Sequence, residues 1–358
     1  MQKMHKHLCL LLIMAIMAGT AGCSRPGQQP SDDQVKLKVI IAGSLLVPFQ
    51  SLEKEFERQN PGIDVQLEGH GSVQVIRAVT ELGDIADITA VADAQLIPLM
   101  MYSSAMPDGD QAYADWTIRF STNRLGIAYK DESAYAAEIN ADNWHEIMSR
   151  PDVTIGLADP RIDAMGYRTL MAIQLAEDYY QDDTIFERTI GSALDPTMKI
   201  STEGDVDTIN VPEVVKTTQP RVKLRSYSIQ LMALLESGDL DYSFEYESVA
   251  KQRGLKFLAL PVGIDLSSPD FEPQYQQVEV NLDFRRFASV VPNFQGTRIV
   301  YGLTIPNNAL HPQESARFIE FILSTDGQGI FDQSYQPLLS SPLCDNPQAL
   351  PETLQTWF

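Results

Sequence analysis

The chain has 358 residues, 48 of them acidic against 27 basic, for a formal charge of −21. So negative a surface excludes nucleic-acid binding, which needs a basic footprint. The roughly 325 residues after the N-terminal segment exceed one comfortable hydrophobic core and suggest two lobes.

Residues 1–22 read as a secretory signal outside the fold. Lys3 and Lys6 give a positive start, residues 8–17 form an apolar core too short for a stable membrane span, and residues 19–22 are small. With Lys3 and Lys6 gone, the charge falls from −21 to −23. The small residues end at Cys23, so the site resembles the lipobox of bacterial lipoproteins, with Thr20 where leucine is usual. Cys23 is therefore the expected lipidation site, and ordinary cleavage leaving a free thiol is the alternative. Residues 23–36 then form a flexible tether, rich in Pro, Gln, Gly and Ser from 26 to 33. Cys9 leaves with the signal, which leaves Cys344 alone and no internal disulfide. Beyond the signal there is no second hydrophobic span, so the reading is of a chain tethered to a membrane surface.

Strands and helices alternate in the first section. Residues 37–42 read as an apolar strand and 45–59 as a helix burying Phe49, Leu52 and Phe56, stopped by Pro61-Gly62. A strand at 65–68, a helix at 73–82 and a strand at 85–91 follow. From near Arg119, strands are expected at 125–129 and 153–158, with a helix starting at 143–148 and a long one at 167–180. The acidic, Thr-rich stretch 201–218 lacks periodicity and reads as a surface excursion. A strand at 222–224, a helix at 229–235 ended by Ser237-Gly238, and a strand at 242–246 come next. The last section holds a strand at 299–305 and a helix at 312–323. This alternation predicts α/β architecture with mainly parallel sheets and ligands at the carboxyl ends of the strands. The C-terminal section is expected to return to the first lobe. Lobe I then comprises 37–118 plus 297–358 and lobe II 119–296, with two hinge crossovers that let the lobes close over a ligand.

Metal-binding Cys/His spacing, a P-loop and a nucleophile elbow are all absent from the sequence. What recurs is a short polar residue between a strand and a helix. Ser44, in Ala42-Gly43-Ser44-Leu45, and Ser72, in Gly71-Ser72, occupy two such corners of the first lobe. Asp163 and Ser228 occupy two of the second. A side-chain oxygen at a helix N-cap sits beside unpaired amides and the positive end of the helix dipole. Converging helix starts make an anion site without lysine or arginine. Ser44 or Ser72 alone is better read as a simple cap and Asp163 or Ser228 equally well so, but four corners, two per lobe, favour a shared pocket. His70 is expected in a surface loop. Because the far field repels anions, such a site must work by short-range hydrogen bonds in a water-poor pocket.

From 37 to 339 the chain resembles the substrate-binding proteins of molybdate/tungstate ABC transporters. The matching stretches, in order, include Ala42-Gly43-Ser44-Leu45, Gly71-Ser72, Ala114-Asp115-Trp116, Asp163 with Gly166-Tyr167-Arg168, and Leu234-Leu235-Glu236-Ser237-Gly238. Tyr246 with Ser248-Val249-Ala250-Lys251-Gln252, the run 264–269 and Ile299-Val300-Tyr301-Gly302 complete the set. The resemblance implies a two-lobed, periplasmic-binding-protein-like fold that holds an oxyanion without catalysis or cofactor. Carried over, the anion contacts fall on Gly43, Ser44, Ser72, Asp163 with the backbone of Ala164 and Met165, and Tyr246. The family also sets two carboxylates against the metal of the anion. Asp163 stands at the first of these positions, as a direct ligand to molybdenum or tungsten, but Ser228 replaces the glutamate at the second. Glu245 and Glu247 belong to the following strand and not to that corner. The implied site has one carboxylate, with Ser228 donating to an anion oxygen.

The function implied is an exported lipoprotein, monomeric and anchored to the membrane through Cys23. It would deliver molybdate or tungstate to an ABC permease driven by a cytoplasmic ATPase. A receptor for sulfate or phosphate, or an anion-sensing module, are the alternatives. A surface enzyme is disfavoured, since no nucleophile–base constellation is visible.

Overall fold

A computed structural model describes residues 34–107, 109–283 and 293–358 of the chain. The signal, Cys23 and most of the tether lie outside the described residues. A six-stranded sheet runs in the order Leu338–Cys344, Ile118–Thr122, Val300–Thr304, Ile88–Val91, Val35–Ala42, Ile63–His70. A five-stranded sheet runs Val222–Arg225, Ile155–Ala158, Tyr242–Tyr246, Leu125–Tyr129, Lys256–Ala259. Both are mixed. The strands that feed helices pair in parallel, and antiparallel strands are added beside them.

Register brings the corners together. Val35–Ala42 and Ile63–His70 pair in parallel from Val35↔Ile63 to Ala42↔His70. The turns that follow, at Gly43-Ser44 and Gly71-Ser72, therefore emerge side by side. Ile41 pairs with Ala90, which sets Ala92 at the same edge. In the second sheet Arg225 pairs with Ala158 and Ser243 with Gly156. The chain after Ala158, the turn at Tyr227-Ser228 and Tyr246 thus share one carboxyl edge, the usual place for a ligand in such sheets.

Helix Leu46–Gln59 buries Phe49, Leu52 and Phe56 as expected from their spacing. Phe49 and Phe56 meet Phe318 edge-on and tilted, at ring distances of 6.2 and 4.9 Å. Phe318 belongs to helix Pro312–Leu323, so the C-terminal section packs against the first helix. The chain passes from the first sheet to the second between Ile118–Thr122 and Leu125–Tyr129. It comes back between Asn293–Gln295 and Val300–Thr304. At the outward passage Asn123 Nδ2 donates to Ser248 Oγ (2.8 Å) and Gln336 Oε1 (3.2 Å), tying the two halves at the crossing.

The stretch expected as an aperiodic excursion is instead ordered as sheet. Lys199–Glu203 and Val206–Pro212 form a hairpin that joins Val278–Asp283 and Asn293–Gln295 in a four-stranded sheet. The physical reason lies in helix Ala164–Tyr180, buried on every side from Ala164 to Ala176. A helix apolar all round needs cover on its outer face, and this sheet supplies it, with Phe294 stacked on Tyr167 at 4.3 Å. The signal was weak because Lys199–Glu203 is exposed along its whole length. Among the described residues no helix is long and apolar enough to cross a membrane.

Candidate functional site

The two carboxyl edges face each other across a small cavity lined from both halves. The six-stranded half contributes Ala42, Gly43, Ser44, Ser72 and Ala92. Asp163, Tyr227, Ser228, Ile229 and Tyr246 come from the other half. Of the residues singled out from the sequence, Gly43, Ser44, Ser72, Asp163, Ser228 and Tyr246 line this cavity. Ala164 and Met165 are buried in the first turn of their helix and are not part of the wall. His70 stands at the end of its strand, with Nε2 on Glu68 (2.7 Å) and Nδ1 3.5 Å from the Tyr227 hydroxyl.

Approach of the halves depends on a missing side chain. A Cβ at Gly71 would lie 2.6 Å from the Ile162 carbonyl oxygen and 3.0 Å from Asp163 Cα, so only glycine allows this contact. Three residues further on, the Gln74 amide donates across the gap to the same Ile162 O (3.2 Å).

The serines do not cap their helices. Ser72 and Ser228 are the first helical residues, behind Gly71 and Tyr227, and Ser44 lies inside the short turn Gly43–Leu45. Their oxygens are engaged elsewhere. Ser44 Oγ accepts from the Tyr301 hydroxyl (3.1 Å), which in turn accepts from Asn123 Nδ2 (3.3 Å). Ser72 Oγ accepts from the Ala92 amide (3.0 Å). The hydroxyl of Tyr246 accepts from Arg168 Nη1 (2.7 Å). Accepting a bond leaves a hydroxyl's own proton free to donate. All three groups are thus held from behind as donors, which suits a ligand that only accepts.

Of the four corner residues, Asp163 alone caps its helix. Its Oδ1 accepts from the Met165 amide (3.1 Å) and its Oδ2 from the Ser228 amide (2.8 Å), so a single carboxylate ties together the starts of both helices. Burial pushes this carboxyl up to about 6, against the two amides and Arg168, which pull it down.

Arg168 escaped the sequence reading as a site residue, although it falls in a matched stretch. It is 2% exposed and reaches from its helix across to the other half. Nη1 donates to Ala92 O and to the Tyr246 hydroxyl, both at 2.7 Å. Nη2 lies 3.4 Å from Asp93 Oδ2, which also accepts from Tyr167 (2.7 Å). An arginine within an otherwise apolar helical run was the available signal, because a buried guanidinium requires partners. Tyr301 and Glu245 were also missed as groups behind the wall. Tyr301 is a core aromatic by pattern, and Glu245 hides in the strand run Tyr242–Tyr246.

Residues 37–335 match the family model of bacterial extracellular solute-binding proteins. An uncharacterized solute-binding protein of Methanoculleus marisnigri is 38% identical over 346 residues, 94% of each chain. The molybdate/tungstate-binding protein WtpA of Pyrococcus abyssi is 37% identical over 341 residues, 92% of each chain. Among solved structures, the periplasmic molybdate-binding protein of Azotobacter vinelandii gives a TM-score of 0.51 at 14% identity, covering 85% of this chain and 100% of that one. The sulfate-binding protein SubI of Mycobacterium tuberculosis gives 0.53 at 12% identity, covering 85% and 87%. At such identities the likeness carries the fold alone, which is that of the two-lobed periplasmic binding proteins. The chain belongs to the bacterial extracellular solute-binding protein family.

Proposed function

We propose that the cavity binds molybdate or tungstate and that the protein delivers the anion to an ABC permease with a cytoplasmic ATPase. The observation that carries this reading is the orientation of Ser44, Ser72 and Tyr246. Each accepts from the protein behind it and keeps a proton for the cavity. An oxyanion offers only acceptors, so such a lining matches it and mismatches a cation. The WtpA relative, similar over nearly the whole length, supports the choice of anion.

Asp163 supports it from another side. A carboxylate at an anion site repels the ligand unless it bonds the central atom. Molybdenum and tungsten expand their coordination readily, whereas sulfur and phosphorus in their tetrahedral oxyanions do not. With Ser228 at the second corner, the site has one carboxylate that can approach the metal and one additional hydroxyl. The lobes of this reading are 37–118 with 297–358, and 119–296. The pairing of Ile118–Thr122 in the first sheet favours moving the outward hinge to 123–124. Export and anchoring through Cys23 belong to the same proposal.

Calorimetric titration with molybdate, tungstate, sulfate and phosphate tests it. Tight binding of the first two, with sulfate and phosphate much weaker, is the expected result. Equal or tighter binding of sulfate or phosphate overturns the assignment of the anion, and no binding of any of the four overturns the oxyanion site.

A further inference from the structure

Strand Tyr242–Tyr246 carries a carboxyl, one residue before the cavity tyrosine, that has no task so far. Glu245 is completely buried. Its Oε1 accepts from the Tyr246 amide (2.8 Å). Its Oε2 is sealed from solvent and has no hydrogen-bond partner among the described residues. A buried carboxylate oxygen left in that state is costly. Among the described residues no cation compensates it directly. Arg253 acts from a distance and has its guanidinium on Glu236 (2.9 Å). The polar side chain beside the carboxyl is the hydroxyl of Ser228, which lines the cavity.

Building on the oxyanion reading of the cavity, we propose that Glu245 is a positioning residue that aims the Ser228 hydroxyl. As a neutral acid it donates its proton in a hydrogen bond to Ser228 Oγ, and the serine O–H is left to donate to an oxygen of the anion. Ser228 then behaves like Ser44, Ser72 and Tyr246, each of which accepts from behind and donates forward. As a carboxylate, Glu245 reverses the chain. The serine proton turns back to the glutamate, and the lone pairs of Oγ face an acceptor-only ligand. The proton on Glu245 is in this way part of the site, and anion and proton bind with positive coupling.

Three further ionisable groups face Glu245 from the elements around it. They are Asp163 at the start of its helix, Tyr301 of strand Val300–Thr304, and Arg253 after helix Glu247–Gln252. Burial pushes the Glu245 carboxyl up to about 8 and the charge of Asp163 adds to this. The Tyr246 amide, the Ser228 hydroxyl and Arg253 pull it down. Asp163 is already ionised where Glu245 titrates, so it supplies a constant repulsion there.

The test is calorimetric titration of the chain with molybdate, tungstate and sulfate at pH 7 and pH 9, in buffers of different ionisation enthalpy. For the tightest of these anions, the wild type should weaken about tenfold between the two pH values, the ratio by which the protonated fraction falls. At pH 9 it should also take up close to one proton per anion bound. Glu245→Gln keeps a neutral donor toward Ser228 Oγ, so its affinity should be the same at both pH values, without proton uptake. Ser228→Ala removes the relay itself and should also flatten the profile, and it carries the test if Glu245→Gln does not fold. Equal weakening in the wild type and in Ser228→Ala overturns the relay while leaving the oxyanion site standing. Failure of the wild type to bind any of the three anions overturns both.

Discussion

Tyr246→Phe separates a binding hydroxyl from a structural one. The substitution keeps the ring, which packs edge-on to Tyr301 at 6.0 Å, and opens no cavity. It removes one oxygen that accepts from Arg168 Nη1 at 2.7 Å. Nη1 retains its 2.7 Å bond to Ala92 O, so the guanidinium keeps a partner there. The cost to folding is accordingly that of one hydrogen bond to a charged group, about 1.5–3 kcal/mol. The cost to binding is the donor bond to an anion oxygen, about 1.5–3 kcal/mol, which is roughly 10- to 100-fold in Kd. Titration with molybdate measures the second and thermal melting the first. A stability loss with Kd unchanged refutes the reasoning, because the hydroxyl would then serve Arg168 alone.

Gly71→Ala should weaken anion binding at least tenfold while leaving each sheet intact, since its Cβ meets Ile162 O at 2.6 Å only when the two halves touch. Titration together with small-angle scattering checks this, and compact, tight-binding variant protein would count against it. Stability should also depend on pH in a defined direction. Burial raises Asp163 from 3.8 to about 6 and Glu245 from 4.5 to about 8. The folded state holds these protons more tightly than the unfolded chain. The resulting stability is present below pH 4 and is lost as pH rises through about 6 and then about 8, each group contributing on the order of a few kcal/mol. Melting followed from pH 5 to pH 9 should show the decline, and Glu245→Gln should remove its upper part.

Where one residue's neighbours decide its role, the sequence was legible. The strand at 125–129, the strand at 242–246 and the helix at 312–323 match the observed Leu125–Tyr129, Tyr242–Tyr246 and Pro312–Leu323. Each has strong periodicity and clear stop signals. The sheet over helix Ala164–Tyr180 was not legible, because its outer strand is polar and the partner of its inner strand Val206–Pro212, Val278–Asp283, lies far along the chain. The same limit applies to the site. Corner position could be read from Gly-Ser pairs, but the hydroxyl partners could not. Tyr301 lies 257 positions from Ser44, and Arg168 lies 78 from Tyr246. Donor orientation is set by such distant contacts, and local spacing is silent about them.

The overall charge makes one more consequence unavoidable. The chain carries −21 formally, so an approaching anion is repelled before it meets any hydroxyl. That repulsion acts over about a Debye length, roughly 30 Å at 0.01 M salt and 8 Å at 0.15 M. The cavity contacts lie within hydrogen-bond distance in a buried site and are screened far less. Added salt should therefore speed association of molybdate and change dissociation little, the opposite of a receptor that steers its ligand electrostatically. Stopped-flow measurements from 0.01 to 0.15 M salt, with a non-competing salt, read both rates. An association rate that falls with salt would mean that a local positive field at the mouth outweighs the acidic surface. Arg168, held by Asp93 and Tyr246, would then not be the cation responsible, and one at the rim would have to be sought.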